Sequence, residues 1–169
     1  MRAIRGLVEP YAQERILLAK EMVGYYEAVQ EFLVAVTAEP SPEQAAVQAP
    51  AADHGTVVGC GALHVMWDDL AEVRTLAVAR SVRGQGVGHE LLEGLVGRAR
   101  ALGLRRLFCL TFEVDFFRAH GFREIEGTPV TADVYAELLR SHDDGVAEFL
   151  DLARVKPNTL GNARMLLDL

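Results

Sequence analysis

Apolar positions along the chain change their period several times, and each change marks an element. Ile16, Leu17, Met22, Tyr25, Tyr26 and Val29 recur near helical spacing and predict helix over about 10–30, with Gly24 a candidate break into two. Phe32–Val36 is continuously apolar and predicts a short buried strand. Residues 37–55, TAEPSPEQAAVQAPAADHG, show no period and predict a flexible loop without a role in chemistry. Thr56–Trp67 predicts a long strand turned at Asp68-Asp69, and Leu70–Val78 the next strand. In Glu90–Leu102, Leu91, Leu92, Leu95, Val96, Ala99 and Leu102 share one helical face, and Gly103 is placed to end the helix. Leu107–Thr111 predicts a buried strand, Phe116–His120 a short helix stopped by Gly121, and Phe122–Ile125 a strand. Thr131 can cap a helix reaching about Arg140, residues 143–160 have no single reading, and Ala163–Leu169 alternates as a terminal strand.

Composition narrows the class. A chain of 169 residues, half of them hydrophobic, suits one domain with a proper core. No apolar run reaches the length of a membrane span, and MRAIRGLVEPY lacks a signal-peptide apolar block, so the expectation is a cytoplasmic protein. Cys60 and Cys109 sit in apolar strand-like runs and predict buried free thiols. The histidines are scattered and predict no metal site. A net charge of −7 without a basic stripe argues against nucleic acid as a partner.

The richest stretch is AEVRTLAVARSVRGQGVGHELL, residues 71–92, in which a β-branched strand runs through glycines into an amphipathic helix. Arg83-x-x-Gly86-x-Gly88 can wrap backbone N–H groups around a diphosphate at a helix N-terminus. Arg83, Gly84, Gln85, Gly86, Val87, Gly88 and His89 are the candidate anion-binding residues. The stretch is not a P-loop, since Gly88-His89-Glu90 replaces Gly-Lys-Ser/Thr. Nor is it the dinucleotide fingerprint, whose third glycine would fall at His89 and whose acidic ribose partner is missing near Ala101-Leu102-Gly103.

The loop resembles the R/Q-x-x-G-x-G/A pyrophosphate loop of the GNAT superfamily, the acyl-CoA-dependent N-acetyltransferases. Phe116-Phe117-Arg118-Ala119-His120-Gly121-Phe122 resembles their second signature, Phe-Tyr-x-x-x-Gly-Phe. The segments at 16–20, 59–63, 71–75, 107–111 and 161–166, and the C-terminal GVAEFLDLARVKPNTLGNARML, are similar to the acetyltransferase domain of N-acetylglutamate synthases in its short stand-alone form. The resemblance implies a single GNAT domain over 1–169, an α/β (α+β) fold with a mixed, mostly antiparallel sheet flanked by helices. It also implies acetyl-CoA as co-substrate, L-glutamate or L-glutamine as acceptor, no metal, and a homodimer. The superfamily usually opens with a strand, for which only Met1–Arg5 is available here.

Site roles follow from the same resemblance. Glu72 matches the family's base, which must take a proton because an α-amine is mostly ammonium below a pKa of about 8. The backbone of Leu76, Ala77 and Val78 would pair with pantetheine and face the thioester oxygen. Phe117 stands where many relatives carry a proton-donating Tyr, which leaves it packing on the cofactor. Thr111 matches a hydroxyl position that can donate to the leaving thiolate or hold substrate. Lys20 matches a substrate-binding Arg, keeping the charge but not the bidentate fork. Arg74, Thr75, Lys156, Asn162 and Arg164 complete the candidate acceptor site, with Arg164 offset from the family's basic positions. Two other readings stay open: a GNAT acting on a different amine, and an acetyl-CoA-binding regulator without turnover.

Overall fold

The computed structural model describes residues 1–37, 55–153, 155 and 161–169. Its elements run α1 (Arg2–Gln13), α2 (Met22–Glu27), β1 (Phe32–Val36), β2 (Val57–Val65), β3 (Leu70–Val78), α3 (Val87–Ala101), β4 (Arg106–Thr111), α4 (Val114–Ala119), β5 (Arg123–Glu124), α5 (Ala132–Leu138), α6 (Asp144–Phe149) and β6 (Ala163–Asp168). The strands form one mixed sheet of order β1-β2-β3-β4-β6-β5. β1/β2, β4/β6 and β5/β6 are antiparallel and β3/β4 is parallel.

The N-terminus departs from expectation. No strand forms at Met1–Arg5; helix instead begins at Arg2 and ends at Gln13, overlapping the anticipated 10–30 stretch only at 10–13, while α2 falls within that stretch. Ile4, Val8 and Tyr11 fall at i, i+4 and i+7 and are all buried, which is the signal that decides for helix. The break lies at 14–21 rather than at Gly24, which is inside α2. The expected loop at 37–55 lies almost wholly outside the described residues. Thr131 does cap α5, its Oγ1 accepting from the Val134 N–H at 3.5 Å.

The chain divides into two compact units: Met1–Leu63 with Thr75–Gly97, and His64–Arg74 with Arg98–Leu169. In the first, β2 uses its two faces differently. Cys60 packs with Ile4, Val8, Tyr11, Tyr25 and Ala77. Gly59 and Gly61 point the other way, where a Cβ would come within 2.8 Å of Leu91 Cδ1 and Leu95 Cδ1 respectively. Glycine at both positions lets α3 lie directly on the strand. In the second unit, Met66, Leu70, Phe108, Leu138, Val146, Phe149, Leu150 and Leu166 form the core, with the Phe108 and Phe149 rings edge to face at 4.9 Å. Cys60 and Cys109 are buried free thiols, and burial raises both pKa values, that of Cys60 to about 12. Among the described residues no helix is long and apolar enough to cross a membrane.

Gly61→Val should therefore lower stability by about 1–3 kcal/mol through overpacking against Leu95 and Leu76, although valine suits a strand. Urea denaturation measures this; an unchanged midpoint would contradict the close α3–β2 approach.

Candidate active site

β3 carries the site residues along a single run. Its register with β4 covers Leu70–Glu72 and pairs Glu72 with Phe108. Three residues on, Thr75 has a φ of 56°, a left-handed backbone that a β-branched residue rarely adopts. Its carbonyl accepts a weak hydrogen bond from Cys60 Sγ. Beyond Val78 a 3₁₀ turn at Arg80–Val82 leads to Gly84 and Gly86, with φ of 76° and 88°. A Cβ at either glycine would meet nothing within 4 Å, so backbone conformation, not crowding, requires glycine. α3 starts at Val87, three residues earlier than its apolar pattern suggests, so Val87, Gly88 and His89 present first-turn N–H groups. α1 braces this loop. The Tyr11 hydroxyl donates to the Val78 carbonyl at 2.5 Å, the Arg83 and Arg80 guanidiniums lie 5.2 and 5.9 Å from its ring, and Arg80 pairs with Glu14. An open glycine loop at a helix head presents backbone N–H groups of the kind an anion can accept from.

The second unit holds a buried charge cluster. Glu72 is 4% exposed. Its Oε2 accepts from Arg74 Nε at 2.9 Å and pairs with Nη2 at 2.6 Å. The other edge of the guanidinium forks onto Asp143, Nη1 to Oδ2 at 3.0 Å and Nη2 to Oδ1 at 3.1 Å. Asp143 also caps α6, its Oδ1 accepting from the Val146 N–H at 2.9 Å. Burial alone would raise the Asp143 pKa, but the hydrogen bonds and charge of Arg74 outweigh it and hold it at about 2. Glu148 on α6 is 6% exposed, and its Oε1 has no hydrogen-bond partner among the described residues. Burial, then the charges of Glu72 and Asp144, push its pKa up to about 7 against the pull of Arg74.

A family model described as Acetyltransferase (GNAT) family matches residues 13–123. The chain belongs to the acetyltransferase (GNAT) family. The family's co-substrate is acetyl-CoA. The chain is 56% identical over 165 residues to an "Amino-acid acetyltransferase" of Mycobacterium tuberculosis, covering 98% of this chain and 87% of that one. It is similar to the crystal structure of Rv2747 from the same organism in complex with CoA and NLQ, with a TM-score of 0.86 and 55% identity over 99% of this chain and 93% of that one. It also shares the fold of the N-acetylglutamate synthase from Neisseria gonorrhoeae, complexed with coenzyme A and N-acetyl-glutamate, at a TM-score of 0.72 and 20% identity over 100% of this chain and 32% of that one.

The expected GNAT site residues fall into distinct settings. Glu72 and Arg74 meet, but in an ion pair with each other. Pleating sends Phe108, Leu110 and, by register, Arg164 and Leu166 to one face of β4 and β6, and Thr111 to the other. Thr111 is buried, and its Oγ1 accepts from the Glu113 N–H at 2.9 Å. Arg164 is spent on the protein: it donates to the carbonyls of Gly127, Glu148 and Phe149 and lies 5.0 Å from the centre of the Phe108 ring. Burial lowers its pKa. Phe117 is buried edge-on between Phe116 and Phe122, at 5.2 Å from each ring. Lys20 lies half-buried between α1 and α2. Asn162 precedes β6, next to the Thr111–Ala163 pair, with its Oδ1 buried and without a hydrogen-bond partner among the described residues. Lys156 lies outside the described residues. Sequence reasoning missed Tyr11, Arg80, Asp143 and Glu148. For Asp143 a signal existed, a cap residue three before Val146; for Glu148 there was none.

The two shifted carboxyls act on folding in opposite directions. Glu148 binds its proton more tightly when folded, so stability falls as pH rises from 4.5 to about 7. Asp143 binds its proton less tightly when folded, so its contribution is present above 3.8 and is lost toward about 2. Glu148→Gln should remove the first decline, a gain of at most about 3 kcal/mol at pH 8 and little at pH 4. Asp143→Asn keeps a good cap but should lose stability at pH 7 and not at pH 2. Urea midpoints across pH measure both; equal effects at every pH would contradict the assigned ionisations.

Proposed function

We propose that the protein transfers the acetyl group of acetyl-CoA to the α-amine of L-glutamate or L-glutamine, the N-acetylglutamate reaction feeding arginine biosynthesis. The reading takes its support from 56% identity, over 98% of this chain, to a protein named Amino-acid acetyltransferase. The observations that carry it physically are the buried Glu72–Arg74 pair on β3 and, later in the chain, the left-handed glycines Gly84 and Gly86 before the head of α3. On this reading the N–H groups from Arg83 to His89 hold the pyrophosphate. The backbone of Leu76–Val78 pairs with the pantetheine and polarises the thioester carbonyl. Phe117 lines the cofactor side, Thr111 donates to the departing thiolate, and Glu72, paired with Arg74, belongs to the carboxylate cluster on the acceptor side. Lys20, Thr75, Lys156 and Asn162 contribute to acceptor binding. The enzyme works as a homodimer in the cytoplasm.

One observation favours glutamine over glutamate as acceptor. A glutamate acceptor brings two carboxylates, and with Arg74 and Arg164 already on protein partners both would fall to Lys20 and Lys156. A side-chain amide needs no such cation.

Free-thiol release from acetyl-CoA, with each amino acid and several polyamines offered in turn, tests the reading. Glutamine and glutamate should outpace the other acceptors, with the N-acetyl product identified by mass. Acetyl-CoA binding without thiol release from any acceptor would replace the enzyme with a regulator. A preferred polyamine would replace the substrate.

A further inference from the structure

Glu72 is poorly placed to serve as a free base. Both it and Arg74 have side chains less than a tenth exposed, and one carboxylate oxygen takes two guanidinium nitrogens. To accept a proton it must surrender a buried ion pair. The cluster offers another carboxylate. Gly145 packs on the pair so closely that a Cβ there would lie 2.7 Å from Arg74 Nη2 and 2.9 Å from Glu72 Oε2. Glu148 stands one turn further along α6, at i+3, and so shares that face. Arg164, from β6, donates to the backbone carbonyls of Glu148 and Phe149 and so ties down this end of α6.

Charge accounting points the same way. Glu72 and Asp143 divide the single Arg74 guanidinium between them. Asp144 on α6 adds a further negative charge, His64 on β2 acts on Asp143, and Cys109 on β4 adds no cation. Glu148 is left buried, with an oxygen, Oε1, that has no hydrogen-bond partner among the described residues. A buried carboxylate in that position needs a proton or a cation from outside. A substrate ammonium supplies both.

We propose that Glu148 accepts the proton of the acceptor's α-ammonium, while Glu72 stays on Arg74 as a positioning residue; this rests on the amino-acid N-acetyltransferase reading above. An N–H bond of the ammonium breaks and an O–H bond forms at Glu148 Oε1. The freed amine pair attacks the thioester carbon; a C–N bond forms and the C–S bond breaks. The second amine proton passes to the thiolate, giving CoA thiol and the N-acetyl product. Glu148 returns its proton to solvent. Its elevated pKa of about 7 suits a base that works near neutrality.

The test is thiol release from pH 5.5 to 9.5 in wild type and Glu148→Gln. Wild-type kcat/KM should climb with an inflection near 7. The variant should lose about 10²–10⁴-fold at pH 7, lack that inflection, and recover toward pH 9.5 as the amine arrives deprotonated, with acetyl-CoA affinity unchanged. Wild-type kcat, or a reduced rate with the inflection intact, would overturn the proposal. No thiol release by the wild type with any amino acid would instead bring down the functional reading, before any variant is compared. Should the variant not fold, ¹³C-carboxyl titration of wild-type Glu148 decides. Its midpoint should drop when a saturating amino acid binds, and an unmoved midpoint would overturn the proposal.

Discussion

One buried guanidinium organises the second unit. Arg74 brings β3 and the start of α6 together by holding Glu72 with one edge and Asp143 with the other. Asp143 then caps α6, so the same carboxylate that satisfies the arginine also sets where the helix begins. Gly145 permits the close approach, and Arg164 holds the far end of α6 through two carbonyls. Glu148 has its place because these contacts fix the helix at both ends.

Such an arrangement is costly to build and is weak evidence of stabilisation. Removing one partner of a buried ion pair typically costs about 3–5 kcal/mol, whereas replacing the whole group by apolar residues is often neutral or better. A third carboxylate, its Oε1 without a hydrogen-bond partner among the described residues and ionising near neutrality, adds expense with no structural return. The cluster is better explained by chemistry: a cationic group from outside completes it. Strain at Thr75 fits the same pattern, since a left-handed β-branched residue persists only where its surroundings force it.

The parts of the fold governed by local pattern were legible in the sequence. β1 and β3 match their apolar runs, β4 and β6 match within a residue, and α3 follows its one-sided leucines. The glycine loop was legible because left-handed backbone demands glycine at fixed places. Legibility failed where the determining contact is distant. α1 showed its i, i+4, i+7 pattern at Ile4, Val8 and Tyr11, yet Gly6 and Pro10 interrupt it, and burial rather than propensity makes it a helix. Arg74 and Asp143 are 69 residues apart, so no spacing rule pairs them. Arg164 looked like a substrate cation, because nothing local reveals that its donors end on protein carbonyls. Glu148 looks like any surface glutamate until α6 is seen to turn that face inward.

Arg74 keeps Glu72 and leaves Glu148 for the substrate nitrogen. A crystal structure with CoA and an N-acetylated amino acid bound measures this directly. The acetamide nitrogen should lie about 3 Å from Glu148 Oε1 while Glu72 remains on Arg74. A nitrogen on Glu72, with Arg74 released or Glu148 turned away, would contradict it.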